Sequence, residues 1–283
     1  MTIKIDKRAF IFGGTYSNLQ ATEAMLEVAE NLGFAANEII FTGDMIAYCG
    51  QPSETISVLR NSGIHMIKGN CEEAIANNAP DCGCGFEEGS ACDLLSMQWF
   101  NFCQKKIDLD TAHWLGTLPQ DVLIQIGDFK LRVVHGTPDS INQFVFNSDL
   151  QTSRYTPPTN DSIDGYIASH SGIPFAASSN DLIWINSGAA GMPANDGTPR
   201  TWYAMLEAEG ETLKASLKPL NYDHEAAQSA MLNSGLKNGY AECLKTGLWP
   251  SLDVLPMEEK AHTGTPLKQI EIEYQKARKV MMV

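Results

Sequence analysis

At 283 residues, with 43% hydrophobic and 19% charged side chains, the chain is long enough to bury one large core or two ordinary ones. Lys+Arg 20 against Asp+Glu 34 leaves a net charge of -14, which repels nucleic-acid backbones and anionic lipid. With no basic run to offset it, neither nucleic acid nor a membrane is expected as a partner. A small phosphorylated substrate stays open, because one metal ion reverses the local field. No stretch approaches the roughly 18 uncharged apolar residues of a membrane span. The opening "MTIKIDKRAF" leads into a strand without a signal-peptide core, so a cytoplasmic address is the expectation. Of the seven cysteines, Cys71, Cys82, Cys84 and Cys92 lie close together; in a reducing compartment they read as free thiols or metal ligands before disulfides.

In chain order, "RAFIF" (8–12) reads as a strand. Residues 17–33 read as a helix, with Leu19, Ala21, Met25, Leu26, Ala29 and Leu32 on one face and a Ser17/Gln20 capping box at its start. A strand (38–43), a short helix (52–63) and a strand (64–69) follow, an order that predicts a mainly parallel sheet with ligand groups at the carboxyl ends of its strands. Residues 71–92 show no period and read as a loop. A helix is expected at 93–107 and a short one at 110–116, then a hairpin turning at Gly127-Asp128. Residues 147–162, polar and containing Pro157-Pro158, predict a loop or lid. "DGYIASHSG" and "DLIWINSGAAG" predict two more strands, and "TWYAMLEAEGETLKASLKPL" another hairpin. From His224 onward, helical patterns precede a Pro-containing tail that covers an apolar surface, its own or that of a second subunit in a homo-oligomer.

The strand ends carry the chemistry. Asp44, Asn70, His135 and His170 each sit just past an apolar strand. A carboxylate, an amide oxygen and two imidazoles suit Mn, Fe or Zn. Singly, each is more often a turn residue or a satisfied core polar group. Four at equivalent strand ends, with Gly43, Gly69 and Gly136 permitting close backbone approach, favour the metal.

The blocks "GD", "GN", "HG", "SHSGIPF" and "NSGAAGMPANDGTPRTWYAML", in that order over about residues 8–206, resemble the calcineurin-like metallophosphoesterase superfamily, its bacterial single-domain phosphodiesterase-like branch in particular. The resemblance implies an α/β fold, a two-sheet β-sandwich flanked by helices, over residues 1–220. Residues 221–283 would form a helical C-terminal extension packed on it. It also implies a divalent transition metal (Mn, Fe or Zn) at Asp44, Asn70, His135 and His170. The family's Asp-x-His block is "FGGTYSN" here, so Gly14 and Tyr16 replace two ligands of a second ion, and Gly172 replaces a third. One ion is therefore expected. Cys71, followed by Glu72, stands where the family has a histidine that assists the leaving group; Cys71, Glu72 and Tyr16 are thus the candidate catalytic residues. The implied function is hydrolysis of a phosphomonoester or phosphodiester. Two alternatives stand beside it: an inactive phosphoesterase-fold binding protein, and a remodelled metal site that recruits Cys71 and the Cys82/Cys84 loop. For those cysteines the plain reading is inert thiols, and for Arg200 a structural ion pair.

Overall fold

The strand–helix alternation of the first 70 residues builds one half of a sheet. In the computed structural model, which describes residues 2–159, 162–179 and 181–276, β1 (Thr2–Ile5) and β2 (Arg8–Phe12) are followed by α1 (Leu19–Asn31), β3 (Ile39–Phe41), α2 (Pro52–Asn61) and β4 (His65–Met66). Strands β2, β3 and β4 run parallel. The N-cap of α1 is Asn18, whose side chain accepts from Ala21 N. That is one residue later than the capping box predicts, because the Ser17 hydroxyl accepts from Ala47 N instead.

The stretch expected to be a loop opens with a helix, α3 (Asn70–Ala76). Its periodicity is too short to read, and it is held by Glu72 and Glu73 in its first turn, where the helix dipole favours negative charge. Then come α4 (Ala91–Lys106), α5 (Leu109–Thr117), the hairpin β5 (Val122–Ile126) and β6 (Phe129–Val133), and α6 (Asn147–Gln151) inside the expected lid. Two residues of that lid, 160 and 161, lie outside the described residues. Strands β7 (Gly165–Ala168), β8 (Phe175–Ser179) and β9 (Leu182–Asn186) precede the long hairpin β10 (Thr201–Glu209) and β11 (Thr212–Leu220).

Two six-stranded mixed sheets result, ordered β1-β5-β6-β7-β9-β8 and, with the C-terminal strand β12 (Ile270–Gln275), β12-β11-β10-β2-β3-β4. The mainly parallel sheet expected from the N-terminal alternation is thus confined to β2–β4, since the β10–β11 hairpin joins β2 antiparallel. Ile3, Ile11, Ile40, Ile124, Leu131 and Ile183 pack between the sheets, and a second core lies under α1, α2 and α4. After β11 come α7 (His224–Asn233), α8 (Gly239–Thr246) and α9 (Met257–Lys260). The segment does not stay helical: β12 pairs antiparallel with β11 along Ile270 to Gln275. Residues 277–283 of the expected extension lie outside the described residues. Among those described, no helix is long and apolar enough to cross a membrane.

Candidate metal centre

The turn after β3 is built in an unfavourable backbone region. Gly43 and the non-glycine Asp44 both have positive φ, 95° and 59°, a conformation that surroundings must enforce. Glu72 enforces it. Its fully buried carboxylate accepts from Asp44 N (2.7 Å), Met45 N (2.9 Å), Ile46 N (3.4 Å) and Gly69 N (2.7 Å), gathering the β3 and β4 turns onto one anion. Burial, with Asp44 close by, pushes the Glu72 carboxyl up to about 7. Both its oxygens are taken by the backbone, so the chemical role expected of Glu72 gives way in this geometry to a positioning one.

Asp44 itself reaches across the sandwich. Its Oδ1 accepts from Cys71 N at 3.1 Å, and its Oδ2 lies 3.2 Å from His135 Nε2. His135, just past β6, has its Nδ1 2.8 Å from the carbonyl oxygen of Thr42. A carbonyl only accepts, so the ring proton sits on Nδ1 and the Nε2 lone pair faces Asp44 and His170 Nδ1, 3.0 Å away. Burial opposes charging the His135 ring, but the Asp44 carboxylate outweighs it and raises the pKa. In His170, burial and then the neighbouring His135 push the pKa down to about 3, leaving a neutral imidazole.

Ligand atoms of Asp44, His135 and His170 lie within 4.8 Å of one another, all buried. Three electron-pair donors gathered this closely can hold a cation. Asn70, at the start of α3, adds a fourth group. Its Nδ2 donates to Cys82 O at 3.0 Å, while its buried Oδ1 has no hydrogen-bond partner among the described residues. An orphaned amide oxygen is costly unless something binds it. His170 Nε2 is likewise buried without a hydrogen bond of ordinary geometry, although the backbone of Cys84 and Asn142 lies close enough to bear on its charge. The donor set of one carboxylate, one amide oxygen and two imidazoles fits a divalent transition metal.

This arrangement on two packed sheets is matched by comparison. The profile of the calcineurin-like phosphoesterase superfamily domain matches residues 8–211. The chain belongs to that superfamily. Its general class is that of the metal-dependent phosphoesterases. Among solved structures, it is similar to a metallophosphoesterase from Sphaerobacter thermophilus at 20% identity, covering 86% of this chain and 100% of that one with a TM-score of 0.64. It is also similar to the hypothetical protein PH1004 from Pyrococcus horikoshii OT3, at 16% identity, 86% and 99% coverage and a TM-score of 0.67. These likenesses show the sandwich fold. No curated protein matches the chain.

The remaining candidate residues surround the four donors. Tyr16 is left-handed, with φ 52°, and its ring packs edge-on to Tyr48 at 4.8 Å. A Cβ built on Gly14 would lie 2.7 Å from Tyr16 Cζ, so the glycine and the tyrosine require each other. Burial and then Asp44 raise the Tyr16 phenol well above its usual range, which keeps it neutral. A Cβ on Gly172 would meet the Trp249 ring at 3.4 Å. The Cys71 thiol, 3.5 Å from Asn70 Nδ2, is likewise pushed up by burial and by Asp44. Cys82 and Cys84, expected to be free thiols or ligands, are joined by a disulfide across Gly83, their Cα atoms 5.3 Å apart. Cys92 is free and buried. Arg200 pairs with the buried Asp196 at 2.9 Å, the structural role expected of it. Sequence reasoning missed the Thr42 carbonyl, a backbone group for which no residue type is a signal, and Phe144, whose ring lies 4.3 Å from that of His170 at a tilt of 33°.

Proposed function

We propose that this protein hydrolyses a small phosphate ester with the help of one divalent ion, Mn, Fe or Zn, held by Asp44, Asn70, His135 and His170. The observation that carries the reading is the convergence of three buried donors, with His135 Nδ1 directed at the Thr42 carbonyl and its Nε2 at Asp44 and His170. When bound, such an ion supplies Lewis acidity toward a phosphoryl oxygen and acidifies water. The chain's own residues do the rest. Thr42 fixes the His135 tautomer, and Glu72 holds the Asp44 turn in its left-handed conformation. Asn70 is aimed by the Cys82 carbonyl. In the reaction, a water oxygen bonds to phosphorus, the bond to the alcohol oxygen breaks, and the departing oxygen takes a proton. The neutral thiol of Cys71 stands beside Asn70 as a donor for that proton. A high thiol pKa makes it a reluctant one, in keeping with slow turnover.

One ion rather than two is supported by the space around Gly14, which the Tyr16 ring fills. The same crowding supports the second reading, a phosphoesterase fold that binds a ligand without turnover. Elemental analysis together with hydrolysis of a phosphomonoester and a phosphodiester separates the two. One equivalent of metal and activity, both lost in Asp44→Ala, is the expected result. Bound metal without turnover selects the binding protein, and no metal in the wild type overturns both.

A further inference from the structure

Beside His170 the surface opens into a cleft whose walls are mostly rings: Tyr16, Tyr48, Phe86, Phe144, Tyr240 and Trp249. These rings are held firmly. Phe144 lies 4.3 Å from the His170 ring and stacks on Phe146 at 6.1 Å, with only 3° between planes, and on Phe86 at 6.2 Å. Trp249 has both its donors engaged, the backbone N with Asn195 Oδ1 at 2.9 Å and Nε1 with Pro193 O at 2.7 Å, so apolar ring surface is what it offers. Among the described residues, no lysine or arginine lines the cleft. A second phosphate or a carboxylate lodged here would lose its hydration without a cation in return, the polar groups of the lining being hydroxyls of Tyr16, Tyr48, Tyr240, Ser171 and Ser251. An uncharged ring would instead bury apolar surface against preformed aromatic edges and faces. The space is narrow, about 50 Å³, so a bulky polycyclic group has no room.

Building on the proposed metal centre, we infer that the alcohol portion of the substrate is a single uncharged aromatic ring, seated in this cleft while its phosphoryl group faces the ion that Asp44 and His170 would help to hold. The substrate class is then an aryl- or arylmethyl phosphate ester, not a nucleoside polyphosphate. Benzyl phosphate and cyclohexylmethyl phosphate test this, because both leave as alkoxides, carry the same number of carbons and differ in the aromaticity of the ring. With Mn-loaded protein, the expected KM for benzyl phosphate is about tenfold lower at similar kcat. Phe144→Ala and Trp249→Leu should each collapse that ratio toward one. Calorimetric titration with benzylphosphonate and cyclohexylmethylphosphonate asks the same question without turnover. Equal affinities for the two phosphonates would overturn the aromatic assignment even if both esters are hydrolysed. Tenfold tighter benzylphosphonate binding without hydrolysis of either ester would uphold the ring site and overturn the hydrolase.

Discussion

Glu72 accepts from the backbone N–H groups of Asp44, Met45, Ile46 and Gly69 while fully enclosed, and Glu72→Ala removes the acceptor from all four. Unpaired buried donors cost about 1–3 kcal/mol each when water cannot reach them, and relaxation recovers part of that, so a loss of about 3 kcal/mol in urea unfolding is expected. A loss below about 1 kcal/mol would mean that the two turns are held by something else. Gly14 and Tyr16 make a second residue-scale case. Gly14 has φ 57° and its missing Cβ would overlap the Tyr16 ring. Gly14→Ala should cost about 1–2 kcal/mol. In a double-mutant cycle with Tyr16→Ala, that cost should shrink by at least about 0.5 kcal/mol. Strict additivity would show that the ring does not occupy the space.

At the scale of elements, the segment leading into the C-terminal strand is tied to the sandwich by one buried carboxylate. Asp196 accepts from Leu267 N at 2.9 Å and from Arg200 Nη2 at 2.9 Å, and Arg200 also donates to Leu267 O at 2.6 Å, just ahead of β12. Arg200→Met leaves the carboxylate buried with a partner missing, a change worth about 2 kcal/mol for a pair that is partly exposed. The loss belongs to β12 before the rest of the sheet. Amides of 270–275 are therefore expected to exchange with solvent faster in the variant, with β10 protection unchanged. Uniform acceleration through both strands would place Asp196 in the global core instead.

For the whole molecule, the donors come from both sheets: Asp44 and Asn70 from the ends of β3 and β4, His135 and His170 from the ends of β6 and β7. An ion held among them would cross-link the sandwich. Ligand at a hundred times its dissociation constant adds about 2.7 kcal/mol to folding stability, and for a domain of this size that is about 5–10 °C in Tm. Chelation should therefore lower the Tm of the wild type by several degrees and leave Asp44→Ala where it is. An identical Tm with and without chelator in the wild type would count against a bound ion.

The sequence by itself marked the N-terminal elements, the hairpins and the candidate donors. Alternation marked the β5–β6 and β10–β11 hairpins, the β2–α1–β3–α2–β4 order followed from period and turn residues, and spaced polar residues after apolar strands singled out Asp44, Asn70, His135 and His170. These are local signals, since a strand's period and its end are written within a few residues of each other. The tertiary structure alone decided what those residues meet. That Glu72 serves the backbone, that a carbonyl 93 residues from His135 sets its tautomer, and that Trp249 lies beside Gly172 are contacts between distant segments. So is the pairing of β12 with β11, whose strand residues 270–275 follow a tail that reads as irregular. No local pattern encodes such meetings, because hydrogen-bond partners and ring neighbours are fixed only when two sheets close on a common core.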